Sequence, residues 1–187
     1  QLGYRPADRV LNLAGAIRFV DHLVDAAIPH MTRFTREHGW PLYLATLSHG
    51  SITVRYSTAP ESPMAFEGAG LNVPRPLLIS ALGRAWIAFC PEEERRAILR
   101  EAVSLSSRQQ SALEAELARI RRAGYAFTAS PRLPRIHGIA VPIRRGRRVL
   151  GSLSMRFPRS SMTEEEVASR YGRRLQALAR AIARDTA

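Results

Sequence analysis

Gly138-Ile-Ala-Val-Pro-Ile143, Arg144-Arg-Gly146-Arg-Arg148 and Val149-Leu-Gly-Ser-Leu-Ser-Met-Arg-Phe157 run consecutively in the chain. Two apolar runs joined by a basic turn centred on glycine read as a β-hairpin. In the second run, alternation places Val149, Gly151, Leu153 and Met155 on one face and Leu150, Ser152, Ser154 and Arg156 on the other. One face is apolar; the other carries two hydroxyls and a guanidinium. Such a polar row faces bulk water or lines a small-molecule pocket, and the strand pattern by itself favours water.

Working outward, Gly124-Tyr-Ala-Phe127 adds a short extended segment before a Pro/Arg-rich loop. Upstream, Ser106-Ser-Arg-Gln109 fits a capping box for a helix reaching Arg122, with Leu113, Leu117 and Ile120 inward. Downstream, Thr163-Glu-Glu-Glu166 is a second capping box. It opens a helix carrying Val167, Tyr171, Leu175, Leu178 and Ile182 on one face. Ile79 to Phe89 is a helix of small and apolar residues, and Pro91-Glu92-Glu-Glu94 starts another. Toward the N-terminus a long amphipathic helix spans about 16–38. Pro29 predicts a kink or split in it, and Gly39 a stop. Strands are expected over 41–48 and 51–58 around the turn His49-Gly50, with a further short strand over 64–66 and a loop over 68–76. Helix, strands, helices, strands, helix is an α+β order with an antiparallel sheet, not a βαβ repeat.

Composition narrows the function classes. The 187 residues are 45% hydrophobic, enough for one domain with a real core. No apolar run is long enough to cross a membrane and the N-terminus has no secretory core, so the cytoplasm is the default location. With Gln1 in place of an initiator Met, the chain is expected to be a fragment or processed form. The net charge of +12 invites nucleic-acid binding. Yet all 28 basic residues are arginine, a bias that codon usage in a GC-rich genome produces without functional cause. Only Arg144, Arg145, Arg147 and Arg148 cluster, on the hairpin turn.

Catalytic signatures are weak. The five histidines form no His-Glu-x-x-His or Cys/His ligand pair, and no metal or cofactor is expected. Cys90, the single cysteine, excludes an internal disulfide and reads as a small buried hydrophobe. As a nucleophile it would need a neighbouring base such as histidine. No Walker, dinucleotide-binding or nucleophile-elbow motif is present. The chain is expected not to be an enzyme. A Cys90–histidine enzyme and an Arg144–Arg148 nucleic-acid module are the two alternatives.

Several stretches, in order and across nearly the whole chain, resemble the effector-binding C-terminal domain of the IclR (isocitrate lyase regulator) family of bacterial transcription regulators. They are Leu2-Gly-Tyr4, Ala27-x-Pro29-His-Met31, Ser80-Ala-Leu-Gly-Arg-Ala85 with Ala88-Phe89, Ile120-Arg-x-x-Gly124-Tyr125, Ile139-Ala-Val-Pro-Ile143, Gly151-Ser-Leu-Ser154 and Leu175-Gln-x-Leu-Ala179. Trp40-Pro41, Ala88-Phe-Cys-Pro-Glu-Glu93 and Ser161-Met-Thr163 further resemble the branch regulating catabolism of hydroxyphenylpropionate-type aromatic acids.

The resemblance implies a GAF/profilin-like α+β fold, an antiparallel sheet flanked by helices. It divides the chain into 1–14, the end of an upstream winged helix-turn-helix domain or linker, and 15–187, the effector domain. It implies a homodimer or tetramer that acts as repressor or activator, binds DNA through a domain absent from this chain, and responds to a small organic acid. Carried over by position, the effector site comprises Ser80, Ala81, Thr128, Gly138, Ser154 and Arg156. Tyr43, Tyr56, Met64 and Phe66 are candidate walls. Thr128 stands where an acidic residue is common and Gly138 where cysteine is common. This makes a small keto acid a poor fit, leaves room for an aromatic acid, and gives Arg156 its carboxylate to pair with.

Overall fold

The computed structural model describes residues 8–66, 70–102, 106–129 and 136–186, with side chains described from residue 19 and up to residue 100 around the first gap in the helical region. The Leu2-Gly-Tyr4 segment, Gly68 and the loop 130–135 lie outside the described residues.

A six-stranded antiparallel sheet carries the fold. Its strands are β1 (Leu42–Ser48), β2 (Ser51–Ser57), β3 (Pro74–Arg75), β4 (Ala126–Phe127), β5 (Ile136–Arg145) and β6 (Arg148–Pro158), in the order β3-β2-β1-β6-β5-β4. Two-residue turns set the hairpin registers. His49 and Gly50, at φ 47° and 67°, join Ser48 to Ser51, and two positive φ values are what a type I′ turn requires. Gly146, at φ 60°, leads the turn between Arg145 and Arg148.

Both faces of the sheet are covered. On one lie α1 (Asp8–His38) and α6 (Arg173–Asp185), with Leu23, Met31, Leu153, Met155, Leu175 and Ile182 among the core. On the other lie α2 (Ala81–Phe89), α3 (Glu92–Ala102) and α4 (Ser107–Ala123), with Tyr43, Val54, Ala85, Ile87 and Leu117 between them and the strands. The polar row of β6 therefore does not meet bulk water: Ser152 and Ser154 are 0% and 2% exposed.

Both capping boxes form. Ser106 and Gln109 start α4, which Gly124 ends at φ 80°; Thr163 and Glu166 start α5 (Glu164–Val167), which continues through a π-helical turn, 168–172, into α6.

Four expectations need correction. The first helix starts at Asp8 and is not split at Pro29, because one lost hydrogen bond is outweighed by the apolar stripe on either side, packed on the sheet. Residues 64–66 form no strand; the edge strand is instead Pro74–Arg75, which pairs with Ile52 and Thr53. In β6 the register slips between Ile143 and Arg144, leaving Leu150 as a bulge residue. The bulge exchanges the faces on its turn side, so Val149 packs toward α2 and Leu150 joins Leu153 and Met155. A second slip, between Leu44 and Ala45, makes Arg55 the bulge of β2; Tyr56 then pairs with Leu44 and faces the α1 side.

Candidate ligand-binding site

A pocket of about 100 Å³ opens where α2 begins over the sheet. Its floor follows from strand alternation and register. Tyr43 of β1 lies opposite Ser154 of β6, and Gly138 of β5 opposite Arg156 of β6, so the four side-chain positions form a patch on one face. Val54 of β2 extends the patch.

The roof is the segment from Arg75 to Leu82. Ser80 caps α2, its hydroxyl accepting from the Gly83 amide at 3.1 Å. Gly83 is required here by space. A Cβ at this position would overlap the Leu77 carbonyl oxygen and lie 2.7 Å from its carbon, so the roof segment crosses directly against the helix. The third wall is Thr128. Its amide donates to the Gly138 carbonyl at 3.0 Å, and the next amide, Ala129, donates to Ile79 at 2.9 Å, tying wall to roof.

Seven of the ten residues expected from sequence line this one pocket: Tyr43, Ser80, Ala81, Thr128, Gly138, Ser154 and Arg156. Three do not. Tyr56 packs on the opposite face of the sheet because of the Arg55 bulge. Met64 and Phe66 are 50% and 40% exposed and are not among the lining residues. Arg75 is a lining residue that sequence reasoning missed, because Pro74-Arg75-Pro76 carries only turn signals and its strand pairing is with residues about twenty positions earlier.

The chemistry of the pocket is two-sided. Arg75 and Arg156 bring guanidinium groups, and Ser154 and Thr128 bring hydroxyls. Tyr43, Val54, Ile79 and Leu82 supply aromatic and aliphatic wall. Arg156 lies over the Tyr43 ring, 5.2 Å from its centroid, a cation–π contact. Gly138 leaves space that any larger residue would take: an added Cβ would sit 3.2 Å from the Thr128 hydroxyl and 3.7 Å from Ala81. A fixed guanidinium, hydroxyls and an apolar wall suit an organic acid with one ring or a short chain.

The far side of α2 is anchored by charge. Arg84, 8% exposed, donates to the Phe127 carbonyl at 2.8 Å and pairs with Glu116 of α4, which also pairs with Arg119. Burial pulls the Arg84 pKa down, opposed by the Glu116 charge. For Glu116, burial pushes the carboxyl up, but the hydrogen bond from Arg119 and the charge of Arg84 outweigh it, and its pKa ends below the ordinary value. The cluster ties α2 to β4 and α4, and so holds the pocket roof in place.

Cys90 is 5% exposed, its thiol directed at the Ile87 carbonyl at 3.5 Å. Burial, followed by the charge of Glu94, raises its pKa to about 12. Among the described residues the cleft beside it is lined by arginines and Glu92 and by no histidine, so the imidazole that the Cys90–histidine alternative needs is not found there. The Arg144–Arg148 turn does not form one basic surface either. Arg145 donates to carbonyls at the end of α6 and Arg148 lies over Phe19 of α1, while Arg144 and Arg147 lie on the opposite side, by Phe89.

Comparison with known proteins decides the family. The family model described as "Bacterial transcriptional regulator IclR C-terminal" matches residues 19–184. The chain belongs to the IclR family. Among curated proteins, the probable HTH-type transcriptional regulator ArcR of Halobacterium salinarum is 31% identical over 134 residues, 67% of this chain and 51% of that protein. The chain thus spans about half the length of the curated relative it matches.

Among solved structures, the IclR protein of Thermotoga maritima superposes with a TM-score of 0.77 at 21% identity, over 98% of this chain and 76% of that one. An IclR homologue from Microbacterium hydrocarbonoxydans, solved in complex with 4-hydroxybenzoate, superposes with a TM-score of 0.69 at 26% identity, over 89% of this chain and 69% of that one. The fold is the GAF-like α+β fold of these domains, and the chain is the effector-binding domain of an IclR-family transcription regulator. No helix among the described residues is long and apolar enough to cross a membrane.

Proposed function

We propose that this domain senses a small aromatic carboxylic acid in the pocket beneath the start of α2, and that the acid's carboxylate pairs with Arg156. The observation that carries the reading is the convergence of a guanidinium fixed on Tyr43, the hydroxyls of Ser154 and Thr128, and an apolar wall on one small cavity. The 4-hydroxybenzoate complex of the Microbacterium relative supports an aromatic acid. Within the class, a hydroxybenzoate or a hydroxyphenylpropionate fits the charge and the ring. Arg75 is a second cation for the carboxylate.

The domain acts in the cytoplasm as part of a homodimer or tetramer whose winged helix-turn-helix domain, upstream of the effector domain, binds DNA as repressor or activator. Regulation is then a population shift: the acid changes DNA affinity or polymerase recruitment only by binding one arrangement of the assembly better than another.

A thermal-shift titration tests the ligand. Binding at one hundred times Kd stabilises the native state by about 2.7 kcal/mol, or roughly 5–10 °C for a domain of this size. A shift with 4-hydroxybenzoate or hydroxyphenylpropionates, abolished in Arg156→Ala and reduced in Ser154→Ala, supports the reading. A shift with glyoxylate or pyruvate alone would overturn the aromatic acid, and a shift unchanged in both variants would overturn the site.

A further inference from the structure

At the opposite end of α2 from this pocket, a cleft of about 340 Å³ lies where the chain reverses at Cys90-Pro91, between the β5–β6 turn and the helices α3 and α4. Four guanidiniums line it: Arg95 of α3, Arg121 of α4, and Arg144 and Arg147 of the turn. Glu92 is the single carboxylate on its lining, and it is already paired with Arg96 one helical turn along α3.

Three of the four cations are held in place before any ligand arrives. Arg144 lies over the Phe89 ring, 5.2 Å from its centroid. Arg121 donates to the Ala88 carbonyl at 3.3 Å, and Arg95 and Arg121 share Glu114, at 3.4 and 3.9 Å. The Arg147 guanidinium has no hydrogen-bond or ion-pair partner among the described residues. The buried Nε of Arg95 is the atom that faces Glu114, at ion-pair distance and without a hydrogen bond.

We propose that this cleft is a second ligand site, for a small anion bearing a phosphate group. Like charges gathered in one cleft repel one another, and a bound anion removes that cost. The number of forks selects the anion. A carboxylate is matched by one planar guanidinium, whereas a phosphate has three terminal oxygens and two charges and accepts from several forks at once. Preorganisation of Arg95, Arg121 and Arg144 means that only Arg147 is ordered on binding.

The surplus of positive charge is local. Beyond Arg95 the groove between α3 and α4 adds Arg96 and Arg100 but also Glu93 and Glu114, so that its added charges balance, and on the other side of the turn Arg145 and Arg148 face α6 and α1. A short concave site bounded in this way fits a discrete anion better than a nucleic-acid backbone, which needs a continuous basic track. The effector pocket and this cleft sit at the two ends of one nine-residue helix, and the second site stands whether or not the first binds an aromatic acid.

Isothermal titration of the domain with inorganic pyrophosphate at low ionic strength tests the proposal. Arg147→Ala and Arg148→Ala serve as a matched pair: adjacent exposed residues of one turn, equal in charge removed, only the first on the cleft. Expected is saturable one-to-one binding, weakened about tenfold or more by Arg147→Ala, as loss of a charge-assisted hydrogen bond implies, and about twofold or less by Arg148→Ala. Absence of saturable binding, or equal weakening in the two variants, would overturn the site. Displacement of pyrophosphate by a thymidine oligonucleotide that binds more tightly and depends equally on Arg147 would overturn the small anion in favour of nucleic acid.

Discussion

Gly83→Ala isolates the packing on which the candidate pocket depends. In an exposed helix this change stabilises, by about 1 kcal/mol, because alanine is the better helix former. Here the new Cβ would lie 2.7 and 2.8 Å from the carbonyl carbon and Cα of Leu77 and would overlap the carbonyl oxygen between them. Ordinary carbon–carbon contact is about 3.5–4.0 Å, so the roof segment must retreat by roughly 1 Å. The atoms in the way are backbone, and the segment is pinned at Ile79 by the Ala129 amide and at Ser80 by its cap on α2.

Overpacking of this kind costs about 3 kcal/mol at the upper end of its usual range, which leaves a net loss of about 2 kcal/mol after the helix gain. For a domain of this length that is a fall in Tm of roughly 4–8 °C. Gly172→Ala is the control: Gly172 is also helical in φ, at −53°, but its added Cβ meets Tyr125 carbons at 3.6 Å, ordinary contact. Differential scanning calorimetry of both variants should show a clear fall for the first and no fall for the second. A Gly83→Ala protein melting at or above the parent would refute the claim that α2 and the Leu77 segment are locked together.

Two further outcomes follow from ionisable groups whose pKa the fold shifts. With its pKa raised to about 12 from an ordinary 9.0, the Cys90 thiol should resist a disulfide reagent at pH 8 in the folded domain and react fully in denaturant; prompt labelling of the native protein would contradict its placement. Glu116, whose folded pKa is depressed, contributes stability that is present above its unfolded value of about 4.5 and lost as pH falls through the lower folded one. The stability difference between parent and Glu116→Gln in urea should therefore be largest near pH 7 and shrink toward pH 3, and a difference independent of pH would show that the ion pairs with Arg119 and Arg84 contribute nothing.

Much of the fold was legible because its signals are local. A capping box satisfies helix-end amides within four residues, which is why Ser106 with Gln109 and Thr163 with Glu166 mark helix starts in sequence and structure alike. The same holds for Gly124 and Gly146, whose positive φ values end a helix and turn a hairpin. The candidate site was partly legible for another reason. Family motifs tied Ser80, Thr128, Gly138 and Ser154 to one another across the chain, and all four meet at one pocket.

What the sequence by itself determined is where the backbone turns, caps and alternates, since those preferences are settled among neighbouring residues. Tertiary structure alone decided which surface each alternating row would meet. Ser152 and Ser154 look like a wetted row until α2 is laid over them. Bulges at Arg55 and Leu150 moved Tyr56 off the pocket face and exchanged Val149 with Leu150, because one extra residue inverts every side chain beyond it. Arg75 reached the pocket through pairing with β2, and four arginines from three separate segments converged by Cys90. Such encounters join residues far apart in the chain, and their free energy comes from packing and charge that exist only once the sheet and its covering helices have closed.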